Sequence, residues 1–224
     1  MSKPRARELG IPLEGTPGTY NAITDVPGVE VGYTTRIEGE AIRTGVTVIH
    51  PRGRSNHDPV FAGWFPLNGN GELTGAAWIE EGGFLEGPIG LTNSHSVGVV
   101  RDTIIDWQIQ HEAIFQRWSL PVVAETADGW LNDMNGFHIQ PEHVFHALDS
   151  ARGGPLAEGS VGGGTGMLGY EFKAGTGTAS QKLPAKFAGY TLGALAQVNF
   201  GRRYQLTIAG VPVGQHIPEG APFS

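Results

Sequence analysis

Apolar positions along this chain fall in short runs broken by glycine and proline, with only two stretches long enough to follow a helical period. Residues 1–20 carry three prolines and three glycines around a basic start and are predicted to form an extended arm. Residues 21–35 (NAITDVPGVEVGYTT) suggest two short strands around the turn Val26-Pro27-Gly28. The β-branched run 45–50 (GVTVIH), closed by Pro51, predicts a buried strand, and the apolar stretch 60–67 another. The segment 68–71 (NGNG) is a turn signal, and residues 90–92 suggest a strand end. From about Ser96 to Trp118, the apolar residues Val99, Ile104, Ile105, Ile109, Ile114 and Phe115 keep roughly helical spacing. Residues 121–125 (PVVAE) predict a short buried strand. A second helix is predicted over 141–152, with Pro141 in its first turn, Val144, Phe145 and Leu148 on one face, and Gly153-Gly154-Pro155 as its stop. Residues 190–198 and 204–211 suggest strands flanking a turn at 199–203, and 215–224 form a flexible tail without periodicity. Paired strands and two firm helices, with no β-α-β alternation, predict an α+β class with a mainly antiparallel sheet. The domain plan is one domain over 21–214 between an arm (1–20) and a tail (215–224).

Composition refines this picture in one respect. Glycine supplies 35 of 224 residues, about 16% against an average near 7%. It has no fixed period and lies among apolar residues, which implies close backbone packing and tight turns. Hydrophobic residues at 39% and charged residues at 17% fit a globular chain able to bury its own core. A net charge of −7 without a basic cluster argues against nucleic acid as a partner. The absence of cysteine removes disulfides, thiolate metal sites and a cysteine nucleophile. No apolar stretch approaches the roughly 18 residues of a membrane span. The basic start MSKPRARELGIPLEG is followed by no apolar core, so no signal peptide is read and a cytoplasmic location is expected, with the periplasm as the alternative.

The candidate chemistry is sparse. Gly162-Gly163-Gly164-Thr165-Gly166 frees the backbone to pass close to a phosphate, a substrate amide or another strand, or reflects tight packing alone. Gly164, Gly166 and Gly169 fit G-x-G-x-x-G, but no clear strand precedes them and no helix is predicted to follow. His111-Glu112 fails the zinc pattern because residue 115 is Phe, so neither metal nor cofactor is expected. Ser94-His95-Ser96 reads as a helix start capped by Asn93 or Ser94. Asp128 and Asp133 read as turn and capping residues. Glu125 ends an apolar strand; it is either a surface carboxylate or ion-pair partner, or the holder of a ligand's ammonium group. Asn199 ends another; it is either a turn asparagine or a fixed neutral donor of the kind an oxyanion hole needs.

The blocks RARELGIPLEGTPG (5–18), NAITDVPGVEVG (21–32), RTGVTVIHP (43–51), PVVAETADGWLND (121–133), AEGSVGGGTGM (157–167) and the strand leading into Asn199-Phe200-Gly201 cover nearly the whole chain. In them the sequence resembles the self-processing serine aminopeptidases of the L-aminopeptidase D-Ala-esterase/amidase (DmpA) and β-peptidyl aminopeptidase (BapA) type. The resemblance implies an αββα sandwich of N-terminal-nucleophile type, completed by a second chain. It implies a precursor that cuts its backbone before a serine, which then becomes the nucleophile at the start of the smaller C-terminal chain. It further implies removal of N-terminal α- or β-amino acids from small peptides, amides or esters, and an oligomer of such heterodimers, a tetramer among the options. By the same resemblance Glu125 anchors the substrate amine, Asn199 is the oxyanion-hole donor, Trp118 and Ala127 line the substrate pocket, and Gly162, Gly163 and Gly164 run beside the scissile bond. Ala127 stands where relatives carry tyrosine or leucine, and Phe200 where histidine is frequent. Ser224 follows the loose PEGAPF, so the nucleophile is expected on the partner chain. The alternatives are a non-enzymatic glycine-loop binding module and a related self-processing acyltransferase.

Overall fold

A computed structural model describes residues 4–223; residues 1–3 of the predicted arm and Ser224 at the end of the predicted tail lie outside the described residues. In chain order the elements are β1 (Glu30–Glu38), β2 (Ile42–His50), β3 (Val60–Phe61), α1 (Ala76–Gly82), β4 (Phe84–Leu85), β5 (Ile89–Asn93) and α2 (Val97–Gln110). They continue with β6 (Val122–Thr126), α3 (Pro141–Asp149), β7 (Leu168–Gly169), β8 (Phe172–Lys173), β9 (Thr176–Lys182), β10 (Thr191–Gln197) and α4 (Val213–His216).

The central sheet has the order β1-β2-β5-β6, antiparallel except for the parallel pair β5/β6. Strand alternation gives it two apolar faces. Val46, Val48 and Val123 point to one side and meet Val97, Val100, Ile104 and Trp107 of α2 and Val144, Ala147 and Leu148 of α3. Val31, Ile49 and Leu91 point to the other and meet Leu195 of β10. The antiparallel pair β9/β10 therefore forms a second sheet stacked on the first. Glycines in the strands allow the layers to close. A Cβ on Gly32 would lie 1.9 Å from the Ala147 carbonyl of α3, and one on Gly90 2.7 Å from the Val100 side chain.

The layers run helices, sheet, sheet. β10 alternates in burial: Leu195 is turned inward, whereas Leu192, Ala194 and Ala196 are exposed on the outer face. No helix among the described residues is long and apolar enough to cross a membrane.

Several elements differ from expectation. The first predicted strand of 21–35 is a 3-10 turn, Ile23–Asp25. The Asp25 carboxylate collects the N–H groups of Tyr20 and Ala22 and the Ser180 hydroxyl, and so competes with strand pairing. Of the run 60–67 only Val60–Phe61 is paired; Phe65 and Leu67 beyond it are 85% and 88% exposed. The long helix stops at Gln110, where Glu112 adopts φ 52° and the Ala113 N–H turns back to the Gln108 carbonyl. The helix α1 and the polar strand β9 carry no sequence signal strong enough to predict them. The segment 204–211 is not a strand: Arg203–Gln205 form a 3-10 turn, and the buried Arg203 guanidinium donates to the carbonyls of Tyr170, Glu171, Ile217 and Glu219. That side chain pins part of the predicted loose tail.

Candidate active site

Two strand ends carry the candidate residues. β5 and β6 lie parallel with Thr92 opposite Glu125 and Asn93 opposite Thr126, so both strands finish at one edge of the central sheet. β10 reaches the same edge from the second sheet. Its last residue, Gln197, donates through Nε2 to the Thr92 carbonyl (3.1 Å) and the Thr126 hydroxyl (2.6 Å). Two residues on, Asn199 Nδ2 donates to the Ala127 carbonyl at 2.9 Å and lies 3.5 Å from the Leu168 carbonyl.

Ala127 and Asn199 line one cleft of about 440 Å³ with Trp130, Met134, Gly166, Leu168, Phe200 and Phe223. Its wall is aromatic where Trp130 and Phe223 meet edge to face at 4.8 Å. Another side is the β7–β8 turn, whose central residues Tyr170 and Glu171 both hold positive φ (51° and 61°). Ala127 contributes a backbone acceptor for Asn199, and that contribution is independent of the side chain at this position.

Glu125 lies just outside this cleft at the end of β6. Its carboxylate is held by two donors: the Ser94 hydroxyl on Oε2 and the Glu72 N–H on Oε1 at 3.3 Å. The capping expected of Asn93 and Ser94 is not present. Neither makes a side-chain cap; Ser94 is turned to Glu125, and Asn93 Nδ2 donates to Thr44 Oγ1 (3.0 Å) and Asp128 Oδ2 (3.1 Å). Asp128 is a turn residue through its carbonyl, which receives the N–H groups of Leu131 and Asn132, but its carboxylate is completely buried against Asn93.

The remaining candidates lie elsewhere. Trp118 is on the connection between α2 and β6, 55% exposed, and does not line the cleft. Gly162–Gly164 form a buried 3-10 turn between the two sheets. Their N–H groups are occupied by Thr35 Oγ1, Thr47 Oγ1 and the Val161 carbonyl. A Cβ on Gly163 would come 2.1 Å from Gln197 Oε1 and one on Gly164 2.3 Å from the Thr176 backbone nitrogen. No helix opens after the run and these three amides are already used, which removes the basis for a phosphate-binding loop.

The sequence pattern of peptidase family S58 matches residues 21–222. The β-peptidyl aminopeptidase BapA of Sphingosinicella microcystinivorans is 52% identical over 222 residues, covering 96% of this chain and 56% of the relative. A β-aminopeptidase from Burkholderia sp. superposes with a TM-score of 0.92 at 53% identity, over 98% of this chain and 64% of that one. The L-aminopeptidase D-Ala-esterase/amidase of Ochrobactrum anthropi, described as a prototype for the serine aminopeptidases and a variant of the Ntn hydrolase fold, superposes with a TM-score of 0.94 at 50% identity and the same coverage. The chain spans less than two thirds of the length of each. The stacked sheets and their helical layer are thus the Ntn-type architecture of these structures, and with a family match running from the first turn to the pinned tail, the chain belongs to peptidase family S58.

Proposed function

We propose that this chain is the larger component of a self-processing serine aminopeptidase, which releases N-terminal residues from small peptides, amides or esters. The nucleophile is the N-terminal serine of a second, smaller chain from the same precursor, packed on the outer face of β9/β10. The observation that carries this reading is that outer face: Leu192 is 63% exposed beside exposed Ala194 and Ala196 on β10, the strand whose last residue, Gln197, lies two residues before Asn199 in the cleft. A two-stranded sheet is marginal by itself, and an apolar face so near the candidate chemistry is suited to a partner that brings the nucleophile.

In this reading Glu125 takes the substrate's ammonium group and Asn199 donates to the oxyanion that forms when the serine attacks the carbonyl. The chemical logic favours the pair. A carboxylate already held by two donors meets a cation without reorganising, and a neutral amide stabilises negative charge without taking up a proton.

The test is expression of the full precursor, with the mass and N-terminal residue of whatever copurifies, followed by assay on free-amine and N-acetylated amides. A shorter chain starting with Ser, and hydrolysis of the free-amine substrate only, is expected. Glu125→Gln in that enzyme keeps the shape of the side chain and removes its charge. A charged hydrogen bond is worth roughly 1.5–3 kcal/mol, so kcat/KM on free-amine substrates falls about tenfold to over a hundredfold while self-cleavage persists. Unchanged kinetics would remove Glu125 from substrate binding.

A further inference from the structure

We infer that Ser94 is a positioning residue for amine recognition, acting through Glu125; the inference rests on the assignment of Glu125 to the substrate's ammonium group. The geometry begins in the strand register. Because β5 and β6 are parallel with Thr92 opposite Glu125, the residue that leaves β5 emerges beside the Glu125 carboxylate. Ser94 opens the 3-10 turn Ser94–Ser96 at that point and spends its hydroxyl on Glu125 Oε2, not on its own turn. On the opposite side the chain segment 72–74 runs against β6, with Leu73 bridged to Ala124 and the Thr74 N–H on the Val123 carbonyl. That segment brings the Glu72 N–H to Oε1.

A carboxylate offers about four acceptor positions, and these two donors occupy one on each oxygen. The rest remain for an ammonium group. Glu125 thus has its side-chain torsions set before substrate arrives. Removing the serine hydroxyl returns that freedom to an ordinary glutamate, and the ordering cost then falls on binding. The ammonium neither gains nor loses charge when the carbonyl is attacked, so the loss is felt about equally by bound substrate and transition state. It appears in KM and leaves kcat in place.

The experiment uses the processed two-chain enzyme and a free-amine amide substrate. Ser94→Ala is expected to raise KM about tenfold, the scale of one hydrogen bond to a charged group, with kcat within about twofold of the parent. Ser94→Thr, which keeps the hydroxyl, restores KM. In the Glu125→Gln background Ser94→Ala has no further effect, because its route to substrate is already removed. If Ser94→Ala yields no mature enzyme, Ser94→Cys takes its place, with KM expected between serine and alanine. A fall in kcat at constant KM, or a Ser94→Ala effect that adds in full to Glu125→Gln, overturns the inference. A damaging Glu125→Gln with a silent Ser94→Ala overturns the inference alone. A silent Glu125→Gln overturns the amine-anchor reading and this inference with it.

Discussion

An asparagine amide that gives one hydrogen to a backbone carbonyl keeps a second for another acceptor, and Asn199 is in that position. Its 2.9 Å bond to the Ala127 carbonyl fixes the amide plane on the cleft wall, while the 3.5 Å approach to Leu168 is at the limit of a hydrogen bond. A donor held in this way costs no reorganisation when charge develops opposite it. Asn199→Ala in processed enzyme is therefore expected to lower kcat by about 10²–10³ with a smaller change in KM. The amide does not titrate in this range, so the pH profile falls in height and keeps its shape. A turn asparagine behaves otherwise: alanine lowers the melting temperature slightly and leaves kcat near the parent value. Measuring kcat beside Tm separates the two, and a kcat within about threefold of the parent, far short of the loss typical of an oxyanion donor, excludes the role.

Elements transmit these residue effects, and the seam between the central sheet and the helical layer has its own pH dependence. His50, the last residue of β2, is 3% exposed, packs its ring on Trp107 of α2 at 5.4 Å and points Nε2 toward the Leu148 carbonyl of α3 at 3.3 Å. Burial pulls its pKa down from 6.5 to about 4; Glu30, Arg54 and His57 nearby make smaller contributions of both signs. The unfolded chain takes up this proton below about pH 6.5, whereas the folded one holds out to about 4. Stability is therefore complete above the unfolded value and lost as pH falls through that window, by an amount on the order of 3 kcal/mol. Urea midpoints of the processed protein at pH 7 and 4.5 check this. The parent loses stability over the interval and His50→Gln, which keeps a donor for Leu148, loses less; equal losses in both would assign the effect elsewhere.

The elements also explain what the sequence could and could not reveal. β2, β6, β10 and α3 were legible because each has enough apolar residues at a single period. Glu125 and Asn199 stood out for the same reason, as polar residues ending apolar strands. α1 was hidden by its length of seven residues between Gly75 and Gly83, both with positive φ. The long helix ends at Gln110 although Ile114 and Phe115 continue its period, because backbone geometry at Glu112 sets a turn that the apolar pattern does not record. Ser94, Asp128, Gln197 and Arg203 carry no local sign of what they bond, because their partners are distant in the chain. Ser94 meets a carboxylate 31 residues away and Gln197 a carbonyl 105 residues away, and no local pattern records either pairing.

For the whole molecule the decisive property is the imbalance between its two sheets. The central sheet is covered on both faces, by α2 and α3 and by β9/β10. The second sheet has two strands, and its outer face presents Leu192, Ala194, Ala196 and Ala179 to solvent. Exposed apolar surface of this kind, next to the edge of β10 that pairs with no further strand among the described residues, favours association. Expressed without a partner, residues 1–224 are therefore expected to aggregate or bind a hydrophobic dye and to unfold without a single cooperative transition. On the proposed two-chain reading, the same residues made as part of a longer precursor are expected to unfold sharply with a second chain bound. Leu192→Asp separates a true docking face from a sticky one. A carboxylate on that face improves the solubility of the lone chain, yet under the proposed partner it would have to leave water, which opposes assembly. Loss of the copurifying chain in Leu192→Asp, with the helical layer still formed by circular dichroism, places the partner on β10. A lone chain that is monomeric, binds no dye and melts in one sharp transition would show that β9/β10 needs no cover, and the two-chain reading would fall.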